Sequence, residues 1–277
     1  MTWQDFLHNR RALSGGIIVL IFCGMALLAP LIAPNSPTTV EFTPSLAPSS
    51  HHLLGTTVNG QDILSQLIWG ARASLFVGLI AGALITLVQL VMGIFGGYVG
   101  GLYDMVATSV TNVFLVFPAL PLLIILAAYL RGGSLLVLVG VIVITGWAWG
   151  AKVLRSQSLA LRNRPFIQAA RISGEGRWHI VLTHIVPNML GIMVANFFGA
   201  ALFAVLAEAG LEFIGLGNIN NVTWGTMLYR ASTGNALLLG QWIWLFVPGL
   251  CLALVGTALG LLNFAVDEIA NPRLRRS

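Results

Sequence analysis

Residues 73–103 read ASLFVGLIAGALITLVQLVMGIFGGYVGGLY, thirty-one consecutive positions without a charged side chain. About 20 apolar residues, rising 1.5 Å each as a helix, cross the hydrocarbon of a bilayer, so this stretch alone makes the chain an integral membrane protein. Working outward from it, five further runs are long enough: 13–33, 105–130, 132–151, 178–207 and one inside 231–266. An all-α fold with six transmembrane helices is therefore expected. Composition agrees, with 57% hydrophobic and only 8% charged residues, where soluble domains carry roughly a quarter charged. Spare length in the longer runs goes into tilt or soft ends.

The first run competes with a signal peptide, since Arg10 and Arg11 precede it. It is longer than the apolar core of a signal sequence and ends in Ala29-Pro-Leu-Ile-Ala-Pro34 without a small-residue cleavage pattern. A retained helix is the expectation.

Orientation follows from Lys and Arg, which stay in cytoplasmic loops. Eleven of the fourteen fall on one side: Arg10, Arg11, Lys152, Arg155, Arg162, Arg164, Arg171, Arg177, Arg273, Arg275 and Arg276. Arg72, Arg131 and Arg230 fall on the other. Both termini are thus expected in the cytoplasm, as six crossings require. The net charge of +5 is what this asymmetry produces, and it gives no reason to expect nucleic acid as a partner. Cys23 and Cys251 lie inside apolar runs, where a thiol acts as a small hydrophobe.

Three parts follow: 1–72, a leader, first helix and outside segment; 73–266, the main membrane domain with a cytoplasmic loop at 152–188; and a cytoplasmic tail, 267–277. The outside segment is rich in proline and is expected to be extended as far as Asp62. There Ile63, Leu64, Leu67 and Ile68 take helical spacing, predicting a short amphipathic helix at the interface. Glycines four apart (Gly78 and Gly82, Gly93 and Gly97, Gly97 and Gly101) predict close helix contacts. Gly100 to Asp104 reads as a tight turn, and Pro118 and Pro121 as kinks in the third span. Such a kink lines a cavity or is a packing irregularity. No internal repeat of the kind that builds many secondary carriers is evident.

Any work done by the chain needs an energy source. Its one lysine, Lys152, stands between Ala151 and Val153, so no phosphate-cradling Gly-Lys-Ser/Thr loop exists. Neither Gly-x-Ser-x-Gly nor His-Glu-x-x-His is present, and no catalytic site is expected. Energy must come from an ion gradient or from another subunit. The polar island offers a place for the second. A helix over 165–172, glycines at 174 and 176, and a resumed helix over 178–187 make an elbow whose corner carries Ser173, Glu175 and Arg177. That corner is either a knob for a soluble partner or a solvated loop that sets topology and meets anionic headgroups.

Gln168-Ala-Ala-Arg-Ile-Ser-Gly174, with Ile185-Val-Pro187 downstream, resembles the EAA loop of permease subunits of type I ATP-binding cassette importers. His52-Leu-Leu-Gly-Thr-Thr-Val-Asn-Gly60, Gly70-Ala-Arg-Ala-Ser-Leu75, Glu208-Ala-Gly-Leu-Glu-Phe-Ile-Gly-Leu-Gly217, Trp224-Gly-Thr-Met227 and Asn271-Pro-Arg273 extend the likeness. Together they resemble the second permease of the dipeptide, oligopeptide and nickel group, from about residue 50 onward. The likeness implies the type I transmembrane fold in a prokaryotic inner membrane, embedded in lipid. It also implies a second permease subunit, two cytoplasmic ATPases that carry ATP and Mg, and an extracytoplasmic substrate-binding protein. The chain itself would bind no cofactor and no metal. The coupling loop would comprise Gln168, Ala169, Ala170, Arg171, Gly174, Glu175, Arg177 and Pro187, and Gly174→Pro or Ala170→Glu would uncouple ATP hydrolysis from uptake. The cargo would be a di- or oligopeptide, with an oligosaccharide or a nickel chelate as alternatives; 263–273 leans toward the oligosaccharide branch.

Several residues depart from that pattern. Gln168 stands where the loop usually has Glu, and Thr57, Gln61 and Gln66 where the group often has Asp, Arg and Arg. Glu212 replaces a small polar residue and forms an i, i+4 pair with Glu208 near the outer end of the fifth span. At the interface the pair would be anchors; in the path or gate, together with Pro118, they would touch cargo. A carrier driven by protons through Glu208 and Glu212 is the rival reading, and a scaffold without a path is another. His51-His52 lacks further ligands for a metal. Asn221-Val-Thr223 matches a glycosylation triplet that a prokaryotic importer would leave unmodified. Trp147, Trp149, Trp242 and Trp244, near helix ends, read as interfacial anchors.

Overall fold

Helix starts are written into the chain as side-chain caps. In the computed structural model, which describes residues 9–130 and 134–270, Asn9 Oδ1 accepts from the backbone N–H of Arg11 (2.9 Å) and Ala12 (3.2 Å). That cap opens α1, Arg10–Leu27. Asp62 does the same for α2, a 37-residue helix over Ile63–Val99, its Oδ2 accepting from Ser65 N at 2.8 Å. The separate interfacial helix expected at 63–68 is thus absent. Ile63, Leu67 and Ile68 are buried in the first turns of the span itself, because nothing between them and residue 73 breaks the helix.

The segment before Asp62 is not extended either. It doubles back, with Ser45 N donating to Thr57 O at 3.0 Å and Phe42 N to Gly60 O at 3.3 Å.

Gly100, at φ +70°, reverses the chain after α2 and α3 follows, Gly101–Val116. Proline at 118 pushes Phe117 out of the helical region, and the chain bends by 90° into α4, Ala119–Tyr129. The expected kink is a complete break. Pro121 causes none, since it falls in the first turn of α4, where no intrahelical donor is needed. α5, Leu135–Gly146, bends by 49° at Trp147 into α6, Ala148–Arg162. The expected end of the span near 151 is not there. Instead α6 runs through the basic island, burying Ala151, Leu154 and Ser158 on one face and exposing Lys152. The remaining elements are α7, Pro165–Ile172; α8, Arg177–Phe213; α9, Trp224–Thr233; and α10, Trp242–Ala270.

Among the described residues four helices are long and apolar enough to cross a membrane, and counting each bent pair as one span gives six. α8 runs between α2 and α10. A methyl on Gly82 would come within 2.9 Å of Ala201 Cα in α8, and one on Gly97 within 2.8 Å of the Arg155 carbonyl in α6. Two of the three glycine pairs are therefore contact stripes, whereas Gly101 belongs to the turn and has open space around it. Trp147 and Trp244 are buried, so of the four expected anchors only Trp149 and Trp242 are exposed.

Two poles result. Asn35 N donates to Ser65 Oγ at 3.0 Å, which brings the end of α1 to the start of α2 at one pole. At the other, Asn9 Nδ2 donates to Glu268 Oε2 at 3.2 Å, with Arg11 Nη1 3.7 Å from the same carboxylate. The start of α1 and the end of α10 share that second pole. Residues 1–8, Arg131, Asn271-Pro-Arg273, Arg275 and Arg276, used in the orientation and motif readings, lie outside the described residues.

Candidate functional site

The elbow is built at the pole where α2 ends. α7 opens with Pro165 and closes on Gly174, at φ +82°. Glu175 N donates to Ala170 O and Gly174 N to Arg171 O, both at 3.1 Å, the paired bonds that stop a helix on a left-handed residue. Glu175 Oε2 then lies 2.9 Å from His184 Nε2 and 3.7 Å from His179 Nε2, tying the corner to the first turns of α8. Arg171 Nε donates to Tyr98 Oη at 3.2 Å, and its guanidinium lies 4.9 Å from that ring's centroid. So the elbow is fastened to α2 as well.

Its two faces differ. Ile167, Ala170 and Ile180 are buried in a cluster with Ile94, Leu154 and Val181. Gln168, Ala169, Gly174 and Arg177 are exposed, and beside them Ile172 is 88% and Trp178 67% exposed. Ala170, a member of the expected coupling loop, turns inward. Within α8, Pro187 lies two residues beyond the wide turn Val181–Ile185, which opens the helix where the proline ring would meet the backbone of the preceding turn. α2 has a matching wide turn, Leu90–Phe95, and Ser158 Oγ donates to its Ile94 carbonyl at 2.9 Å.

One contact behind the elbow has no signal in the sequence. Asp104, the single acid of the turn into α3, receives two bonds from Arg155 of α6: Nε to Oδ1 at 2.6 Å and Nη2 to Oδ2 at 2.8 Å. Fifty-one positions separate them, and only the crossing of α6 over Gly93 and Gly97 brings them together.

At the opposite pole Glu208 and Glu212 are 0% and 1% exposed, buried against neighbouring helices. Ser74 Oγ donates to Glu208 Oε1 at 3.3 Å and accepts from Trp224 N at 3.2 Å. Thr223 Oγ1 donates to Glu212 and also caps α9, receiving Thr226 N at 3.1 Å. Trp224 Nε1 donates to the Leu67 carbonyl at 3.1 Å. The pair therefore knits α8, α2 and α9 into one body. Sequence reading missed Ser74, Thr223 and Trp224 as its partners, although Thr223 with Thr226 is a legible capping pair. His52 Nδ1 lies 2.9 Å from Asp62 Oδ1 and the ring is buried against Phe42, 4.5 Å between centroids, which gives it a structural occupation. Among the described residues no group of His, Cys, Asp and Glu is placed to hold a metal.

Pro118 lies elsewhere, on a cavity of about 630 Å³ between the break after α3 and the bend at Trp147. Gln89, Asn196 and Asn263 line it with Trp149 and Thr145. None of the three was a candidate site residue in the sequence reading, where Asn263 served only as the first residue of the run 263–273.

This geometry defines a multi-pass membrane component: a helical body with a cavity among its spans, an elbow with a bare face at one pole, and no catalytic constellation among the described residues. Residues 89–276 match the family model of the binding-protein-dependent transport system inner membrane component, and the chain belongs to that family. Members are permease subunits and not enzymes. Residues 1–50 match the N-terminal TM domain of oligopeptide transport permease C, extending the likeness into the region that the motifs left out. The dipeptide transport system permease protein DppC of Bacillus subtilis is 31% identical over 99% of this chain and 85% of its own length. The oligopeptide transport system permease protein OppC of the same organism is 30% identical over 99% and 90%. The probable D,D-dipeptide transport system permease protein DdpC of Escherichia coli is 28% identical over 94% and 87%.

Proposed function

We propose that the chain is the permease subunit of an ATP-driven importer of di- or oligopeptides, forming the transmembrane path with a second permease. The observation that carries this reading is the elbow, clamped to the spans on its inner side by Ile167, Ala170 and Ile180 and bare on its outer side at Ile172 and Trp178. Exposed apolar residues on a polar, cytoplasm-facing corner fit a protein partner better than water. The partner is a cytoplasmic ATPase carrying ATP and Mg, gripping Gln168, Ala169, Arg171, Gly174 and Arg177. Two such ATPases, the second permease and an extracytoplasmic binding protein complete the assembly.

Coupling works through differential contact. Closure of the ATPases on ATP favours one position of the elbow and their opening another, which is the only way a bound partner can shift a two-state equilibrium. Glu175 to His184 and Arg171 to Tyr98 carry that movement into α8 and α2. The functional division is the one drawn from the sequence, with the main domain at 73–266, the coupling segment at 152–188 and both chain ends cytoplasmic. Pro118 lines the path. Glu208 and Glu212 brace its outer end. The peptide cargo is supported by the names of the three relatives.

The experiment is copurification in mild detergent followed by reconstitution of the complex into liposomes with the binding protein. Two ATPase chains and a second permease should accompany this chain, and labelled dipeptide should accumulate only with ATP, with or without a protonophore. Unlabelled oligosaccharide or nickel chelate should not compete. Uptake by the isolated chain, abolished by the protonophore and indifferent to ATP, would refute the proposal.

A further inference from the structure

The cavity beside Pro118 has a volume of about 630 Å³, within the roughly 300–1,000 Å³ that small-ligand sites occupy. Two interruptions of helical backbone border it, the 90° break at Phe117–Pro118 and the 49° bend at Trp147. Non-helical backbone at membrane depth persists only where protein buries it or water reaches it. A cavity of this size with three amides on its wall has the room and the polar partners for water, which would satisfy that condition here.

Its polar side chains are mostly amides, one from each of three helices: Gln89 of α2, Asn196 of α8 and Asn263 of α10. No charged side chain lines it. Asn196 Nδ2 donates to Gln89 Oε1 at 3.3 Å, and Asn263 Nδ2 donates to the Ala195 carbonyl at 2.6 Å. Both bonds use donors and leave acceptors over. Among the described residues Asn196 Oδ1 and Asn263 Oδ1 accept no bond and Gln89 Nε2 donates none, so two acceptor oxygens remain together with the N–H groups of the three amides that these bonds do not use. Gly150 is what admits the arrangement, because a methyl there would overlap the Gln89 amide. Three amides drawn together inside an apolar body cost free energy unless something in the cavity pairs with them.

We infer that Gln89, Asn196 and Asn263 form a charge-neutral selector that hydrogen-bonds the backbone amides of a peptide in transit. The inference rests on the peptide-permease reading. A peptide bond offers one N–H and one C=O per residue whatever its side chain, which an uncharged set of donors and acceptors matches. Because amides carry no net charge, the selector holds acidic, neutral and basic peptides alike. The apolar remainder of the wall, with Phe114 and Trp149, receives side chains without pairing them.

The test uses the reconstituted complex and three tripeptides that differ only in a central Lys, Ala or Glu. Asn263→Asp puts a carboxylate among the amides and should raise the Lys-to-Glu uptake ratio about tenfold over wild type, the factor that ~1.4 kcal/mol produces. Asn263→Leu should slow all three peptides by a similar factor and leave the ratio where it was. Asn196→Asp, on a different helix, is scored in the same way. A ratio unchanged in assembled Asp variants overturns the selector, and so does failure of both Asp variants to assemble, since a wet cavity tolerates a carboxylate. Failure of wild type to take up any of the three peptides refutes the peptide reading instead, so the two failures are distinguishable.

Discussion

Thr223 shows how much one hydroxyl can hold. It caps α9 and donates to Glu212, whose other carboxylate oxygen receives no bond from the described residues. Thr223→Val keeps the shape and removes both roles, leaving a buried acid with less to bind. Loss of a cap costs about 1 kcal/mol and an abandoned buried acceptor about 1–3 kcal/mol, so the variant should melt several degrees below wild type in detergent. Thr223→Ser should restore most of the loss; equal melting of all three would show that Glu212 does not need the bond. The sequence exposed Glu208 and Glu212 as an i, i+4 pair. It could not place Ser74, more than a hundred positions upstream, beneath them. The neighbouring departures have a similar account: where the resemblance implied ion pairs, Gln66 Nε2 donates to Gln61 Oε1 at 2.8 Å and Thr57 Oγ1 accepts from Gln61 N at 3.1 Å. Neutral hydrogen bonds occupy those buried positions without the desolvation cost of charge.

Among the elements, α7 was the most legible, because its limits are local chemistry. Proline opens it and a left-handed glycine closes it, so its range matches the one read from the sequence. Which of its faces looks outward was not local. Ala170→Glu was expected to uncouple ATP hydrolysis from uptake, and Ala170 packs against the body. The substitution should lower the melting temperature along with uptake. Gly174→Val, at an exposed position whose left-handed backbone costs an L-residue roughly 1–2 kcal/mol, should tilt the elbow while the spans stay folded. ATP hydrolysis by the complex should then continue with uptake reduced. Normal uptake in Gly174→Val would separate the elbow from coupling. α6 teaches the opposite lesson. Its charged residues read as loop, but Lys and Arg are good helix formers, and a buried stripe at Ala151, Leu154 and Ser158 keeps them helical against the glycine face of α2.

Over the whole molecule, α2 and α8 contribute to all three apolar clusters; two lie side by side on different faces of α8, at Ala201, Val205 and Ala209 and at Ala200, Ala204 and Leu211, and the third lies at its other end, at Ile180 to Met189. The elbow belongs to the cluster at the end of α2, and Glu208 and Thr223 to the opposite pole. Single cysteines placed at Gly174 and at Asn218 should therefore react with a membrane-impermeant maleimide from opposite sides, Gly174 only from the cytoplasmic face of inverted vesicles. Labelling of both from one side would overturn the two-pole arrangement, and labelling at position 174 from the outer face would overturn the orientation drawn from the eleven-to-three division of basic residues.

Sequence alone determined the solvent, a membrane crossed by helices. Apolar runs, the one-sided distribution of arginine, the glycine stripes and the limits of α7 all depend on interactions within a few residues or with the bilayer, and those need no fold to be read. Tertiary structure decided the rest: the bidentate bond of Asp104 to Arg155, the burial of the two glutamates beneath Ser74 and Thr223, the inward turn of Ala170, and the meeting of three amides at one cavity. Each joins residues from separate helices. Their distances are set by which helix faces pack together, and in a chain this apolar no single sequence pattern marks one face for a particular neighbour.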